Sequence, residues 1–206
     1  MLIDLQYSNS FNWYVAAASV VIDAAALSIQ AISQLLITDA NLKIDMELLA
    51  KNPYNFYYWK TKTLTSLISG MALGLINLIL LCLIGLSTDI FLRSLIMLPL
   101  ACLFGTILGF TGWSFSWQMK NPYFFSNLFI SIITIVSGVL VLISQYPRWL
   151  MILSYGFPFF EVVNFIKIKD GNFYLSCLIA LAWIILGIIS YIVQIKSVLN
   201  KKIHQY

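Results

Sequence analysis

NLKIDMELLAKNPYNFYYWKTK, residues 41–62, is the longest polar interval in a chain that is otherwise almost wholly apolar. It holds four of the twelve basic residues, and Asp39, Asp45 and Glu47 place three of the eight acids in it or at its edge. On either side the sequence turns apolar, over about 11–38 before it and 63–86 after it. Each of those stretches reaches the ~20 residues needed to cross the hydrocarbon core of a bilayer. A charged loop between two spans is therefore the first structural unit.

The rest of the chain continues the pattern. Of 206 residues, 61% are hydrophobic and 10% charged, whereas a soluble domain carries about 25% charged residues. So little charge cannot cover a water-facing surface. Further apolar runs at about 90–115, 124–144 and 173–195 bring the total to five. They are solid runs, without the alternating polarity of a membrane barrel. The sequence thus predicts an all-α, polytopic membrane helical bundle, a single transmembrane domain over residues 1–206 with about five transmembrane helices. Between the fourth and fifth runs, QYPRWLMILSYGFPFFEVVNFIKIKDG (145–171) is broken by Pro147, Gly156 and Pro158. It predicts short helices that lie in the interface or re-enter it, with Glu161 and Arg148 either paired or in solvent.

Within the spans a few polar and small residues stand out. The first span is rich in Ala and Ser and is interrupted by Asp23, Gln30 and Gln34. An ionisable group at that depth must face protein or water, which predicts a helix buried among its neighbours. Asp23, Gln30 and Gln34 fall near one side, where they either line a substrate path or hydrogen-bond helix to helix. Gly70 and Gly74 form a GxxxG step, a generic packing face or a dimer seam. Trp113 and Trp117 fall where an aromatic belt belongs.

Several chemistries are disfavoured. Cys82, Cys102 and Cys177 all lie in apolar runs, as small hydrophobes do. One histidine, His204 in the tail, supports no metal cluster. There is no GxxxxGK[ST] phosphate loop, and the lysines lie in short loops rather than on a nucleic-acid-binding face. No catalytic centre, metal, bound cofactor or nucleic-acid partner is expected; membrane lipid is. The N-terminal MLIDLQYSNSFNWY has no basic region of the kind a cleavable signal peptide carries.

Lysine bias sets the expected orientation. The 39–62 loop, the 118–123 loop and the tail share one side with eight basic residues, against Arg93, Arg148, Lys167 and Lys169 on the other. The positive-inside rule then places the loops and the C-terminus in the cytoplasm and the N-terminus outside a cell (plasma) membrane. In the cytoplasmic loop, residues 44–51 can form a short helix that Pro53 would end. Phe56, Tyr57, Tyr58 and Trp59 then mark the return to the interface. The segment is either a docking helix for a soluble partner's groove or a plain interfacial loop.

The order of these features resembles the membrane subunit of ABC-2 type exporters, a family of drug, bacteriocin and polysaccharide permeases. The family's cytoplasmic stretch corresponds to Asp39 followed by Met46-Glu47-Leu48-Leu49-Ala50-Lys51-Asn52-Pro53. Its signature between the last two spans is matched by Ser137-Gly138-Val139, Tyr146-Pro147-Arg148-Trp149-Leu150 and Tyr155-Gly156-Phe157-Pro158. The Lys120-Asn121-Pro122 turn and the Asn127-Leu128 pair are also similar, and the likeness runs in order over roughly residues 11–195. Two departures stand out. The family has six spans with both ends cytoplasmic, so this chain is expected to lack the first helix, and leucines replace the proline that usually closes the Ser-Gly element.

The resemblance implies a permease that exports a drug, peptide, lipid or glycan and dimerises with itself or a related permease. A separate nucleotide-binding subunit would carry ATP and Mg. Asp45, Glu47, Leu48, Leu49 and Pro53 would couple to that subunit, and Asp23, Gln30 and Gln34 would flank the path. Gly138, Pro147, Trp149, Pro158 and Glu161 would belong to the outer element. The rival expectations are a non-transporting membrane protein, an immunity factor or scaffold that binds a partner through loop 41–62, and an ion-coupled carrier using Asp23. A carrier usually shows an internal repeat with paired broken helices, and none is evident here.

Overall fold

The structure, a computed structural model, describes residues 2–44, 55–139, 145–169 and 171–203, with helix side chains described from Trp13 to Ser197. Its described elements are seven α-helices: α1 (Leu2–Asn41), α2 (Phe56–Ile84), α3 (Thr88–Ser116), α4 (Phe124–Val136), α5 (Arg148–Tyr155), α6 (Phe160–Ile168) and α7 (Phe173–Ile203). Trp13–Asn41 of α1, all of α2 and α3, and Phe173–Ser197 of α7 are long and apolar enough to cross a membrane. The chain is a helical, multi-pass membrane bundle.

Local chemistry sets the helix ends. Asn55 caps α2, its side-chain oxygen accepting the Tyr57 and Tyr58 amides at 3.1 and 3.4 Å. Gly85 ends α2 at φ 127°, a backbone angle that glycine alone adopts without a steric penalty. Its amide donates back to the Leu81 and Cys82 carbonyls. The chain reverses there, and α3 begins at Thr88 antiparallel to α2.

α1, α2 and α3 form the centre. The inner side of α1 presents Ala18, Val21, Ala25, Ile29, Ile32 and Leu36, all buried, at the three- and four-residue spacing of one helix face. Glycines bring the backbones together. A Cβ on Gly109 of α3 would stand 2.7 Å from the Ile29 carbonyl oxygen, and one on Gly70 of α2 would stand 2.7 Å from that of Ala24. The Gly70–Gly74 step therefore seats α2 on α1 within this chain. Hydroxyl contacts add to this, Ser66 of α2 to Thr106 of α3 at 2.9 Å and Ser33 of α1 to Ser126 of α4 at 2.7 Å.

The fourth apolar run differs from its sequence reading. It forms a helix only to Val136, and Gly138 follows at φ 79°; residues 140–144 of the expected 124–144 span lie outside the described residues. Thirteen residues extend about 20 Å at 1.5 Å each, short of a ~30 Å hydrocarbon core. Beside it α5 and α6 make a hairpin bent by 102°. Phe157 at its turn packs on Phe129 of α4 and Trp183 of α7, and Phe159 packs on Phe104, halfway along α3. The hairpin reaches into the bundle through these aromatic contacts, and its break falls where the proline and glycine punctuation lies.

The two ends of the bundle are distinct. At one, Tyr58 and Lys62 of α2 meet Asp39 of α1, and Gln118 donates to the Gln194 carbonyl of α7 at 3.5 Å. At the other lie the Gly85 turn beside Trp13, the ends of the hairpin, and Asp89 with Arg93 and Lys169. Among the described residues, Lys43, Lys60, Lys62, Lys120 and Lys196 fall towards the first end, and Arg93, Arg148, Lys167 and Lys169 towards the second.

Candidate functional site

The loop end is built around Asp39. This carboxylate is nearly buried, yet it accepts a 2.6 Å hydrogen bond from the Tyr58 hydroxyl and pairs with the Lys62 ammonium at 2.7 Å. Lys62 also lies over the Tyr58 ring, 5.5 Å from its centroid. One residue from α1 and two from α2 thus clamp both ends of the 41–62 interval. The sequence reading noted Asp39 only for its motif. The signal it held was an acid and a lysine at opposite edges of one polar interval.

A polar face runs from this clamp along the outside of α1. Thr38, Gln34, Gln30 and Asp23 are all exposed, at spacings that keep them on one side of the helix. The sequence reading expected α1 to be buried among its neighbours, and here one side is buried among them while the polar side is exposed. Asp23 has no hydrogen-bond or ion-pair partner among the described residues. Between α1 and α2 this face holds an open cavity of about 390 Å³ bounded by Gln34, Thr38, Asp39, Lys62, Thr65 and Ser69. An adjoining one of about 290 Å³ shares Gln34 and Ser69 and is flanked by Gln30, Leu27 and Leu73. The two make one groove, polar towards the loop end and partly apolar further in.

The opposite end is a network of caps. Lys167 of α6 donates to the carbonyls of Gly138 and Val139 at 2.7 and 2.6 Å, where α4 has run out of amide partners; a cation at a helix C-terminus is favourable. Glu161 is buried and accepts the Asn172 amide at 2.8 Å at the start of α7. Arg148 is exposed and does not pair with it. Pro147 precedes α5, Trp149 points outward at 68% exposure, and Pro158 lies in the hairpin turn. Arg93 pairs with Asp89, donates to the Ile166 carbonyl at 3.3 Å and lies over the Tyr14 ring. The Tyr146 hydroxyl donates to the Ile135 carbonyl at 2.8 Å, and burial pushes that phenol above its usual pKa.

Trp113 and Trp117 do not form an outward belt. Trp113 is buried, and both stack in an aromatic cluster with Trp59, Phe110 and Tyr191 that joins α2, α3 and α7. Beside the cluster an apolar cleft of about 450 Å³ opens between α2 and α7, bordered by Phe56, Trp59, Ile188 and Ile192. The expected coupling residues Asp45, Glu47, Leu48, Leu49 and Pro53 lie outside the described residues. No known family model matches the chain, and comparison with curated proteins and with solved structures finds no match.

Proposed function

We propose that the chain is the permease subunit of an ATP-driven exporter of the ABC-2 type. It pairs with itself or a related permease, sits in the plasma membrane, and takes its energy from a separate nucleotide-binding subunit that carries ATP and Mg. The observation that carries this reading is the polar face of α1. A carboxyl group and two amides on the outside of a span are poorly placed against lipid: an Asp at a helix centre costs about 2.5–3.5 kcal/mol on insertion scales. A face of that kind belongs against water or a second subunit, and a path between subunits supplies both.

The rest of the architecture fits. The 41–62 interval hangs from the two helices that form the groove, so a push on it would move α1 against α2 as rigid bodies, a two-state transition. The Asp39 clamp is the joint through which that push would pass. The hairpin closes the far end. The test is a Glu47→Ala/Leu48→Ala double variant, co-expressed with the nucleotide-binding subunit. The variant is expected to lose co-purification and transport-coupled ATPase activity; undiminished coupling overturns the reading.

A further inference from the structure

We infer that the outer face of α1 binds an elongated organic cation, its charge held by Asp23 and its polar remainder by the groove at Gln30, Gln34 and Ser69. The inference deepens the permease reading by naming a cargo class, and rests on that reading only for the word cargo.

Charge complementarity selects the cation. Asp23 is exposed, lies well inside the Trp13–Asn41 span and has no partner among the described residues. The described cations nearest to it along the helices are committed elsewhere. Lys62 pairs with Asp39, and Arg93 with Asp89, with the Tyr14 ring beneath it. Asp39 is sixteen residues further along α1 and Tyr14 nine residues back. At 1.5 Å per residue those separations are about 24 and 14 Å, beyond a carboxylate's reach. No described residue of this chain therefore supplies the opposing charge. An anion or a neutral ligand would offer the carboxyl group no complementary charge, whereas a cation does.

The flanks select an organic ion over a hydrated metal. Leu27 borders the groove one turn along from Asp23, and Leu73 and Ile76 of α2 are exposed on the facing helix. Gln30 and Gln34 follow at about 10 and 16 Å from Asp23 along the helix. Their amides and the Ser69 hydroxyl offer both donors and acceptors. The complementary ligand carries its cation at one end, an apolar body, and hydrogen-bonding groups at the other.

Dansylcadaverine, with an ammonium at one end, a pentyl chain, and a sulfonamide and fluorescent ring at the other, is a suitable probe. Its fluorescence anisotropy is read with the full chain in phosphatidylcholine nanodiscs, with no ATP and no partner subunit, so the outcome is independent of transport. Saturable binding is expected. Asp23→Asn should raise Kd by about tenfold or more, as loss of a direct charge partner does, while Asp23→Glu should stay close to the wild-type value. Gln34→Leu should weaken binding severalfold, and the uncharged N-pentyl dansylamide, which lacks only the amine, should bind at least about tenfold more weakly than dansylcadaverine. Equal affinity in wild type and Asp23→Asn, equal affinity for N-pentyl dansylamide, or no saturable signal above empty nanodiscs overturns the inference. The last result is the one expected if a protein segment already covers the face.

Discussion

Asp39 draws its partners from across the loop. Its carboxylate is held by the Tyr58 hydroxyl and the Lys62 ammonium within 2.7 Å, and a hydrogen bond to a charged group contributes about 1.5–3 kcal/mol. Tyr58→Phe is therefore expected to lower the thermal midpoint of the detergent-solubilised protein. Asp39→Asn should lower it further, because it also removes the ion pair and leaves Lys62, whose side chain is 19% exposed, without its counter-charge. Scanning fluorimetry checks both, and a midpoint unchanged in both variants would mean the clamp is not closed in solution. Gly109 is a second sensitive position. With Ile29's carbonyl oxygen 2.7 Å from a would-be Cβ, Gly109→Leu must push α1 away from α3. Overpacking of that kind costs about 1–3 kcal/mol, and backbone offers less room than a side chain. The sequence supplied the glycines and charges but not their partners. Asp39 and Lys62 stand at the two edges of one polar interval, and only the antiparallel return of α2 joins them.

Among the elements, α4 shows best why hydropathy alone misplaces a boundary. Ile, Leu and Val continue past Val136 up to Ser144, so an apolar window extends the span, yet the helix stops where Gly138 takes φ 79°. Backbone conformation, not polarity, ends it. The hairpin was more legible, because Pro147, Gly156 and Pro158 interrupt helix geometry wherever they occur. Its depth was not, since that depends on Phe159 finding Phe104 and Phe157 finding Phe129 and Trp183. Besides the Phe157–Phe129 contact, Lys167 ties the hairpin to the end of α4 through the Gly138 and Val139 carbonyls. Lys167→Met keeps the length and removes both donors. The expected result is faster hydrogen exchange across 148–168, with α1, α2 and α3 as protected as before; exchange rising equally everywhere would make Lys167 a global support instead. Gly138→Val should add strain, because a β-branched residue at φ 79° costs about 1–2 kcal/mol.

For the whole molecule, the class of protein was legible because it follows from quantity: long apolar runs and few charges leave a membrane bundle as the outcome. The outward polar face of α1 was not, since periodicity tells which residues share a face and not what covers it. Orientation lies between these. The bundle has one end with the 41–55 and 117–123 connections and another with the hairpin, and the basic residues favour the first by eight to four. Proteins retain Lys- and Arg-rich loops in the cytoplasm, so the hairpin end is expected outside. Replacing Cys82, Cys102 and Cys177 by serine gives a background in which one introduced thiol reports its side. Arg148→Cys, exposed at the start of α5, should react with a membrane-impermeant maleimide in intact cells. Lys51→Cys and Lys120→Cys should react only after permeabilisation. The reverse pattern would place the Asp39 clamp and the 41–62 interval outside, out of reach of any nucleotide-binding partner, and the exporter reading would fall. The cation site at Asp23 would survive that result, because a groove open on the outer side of α1 binds from either orientation.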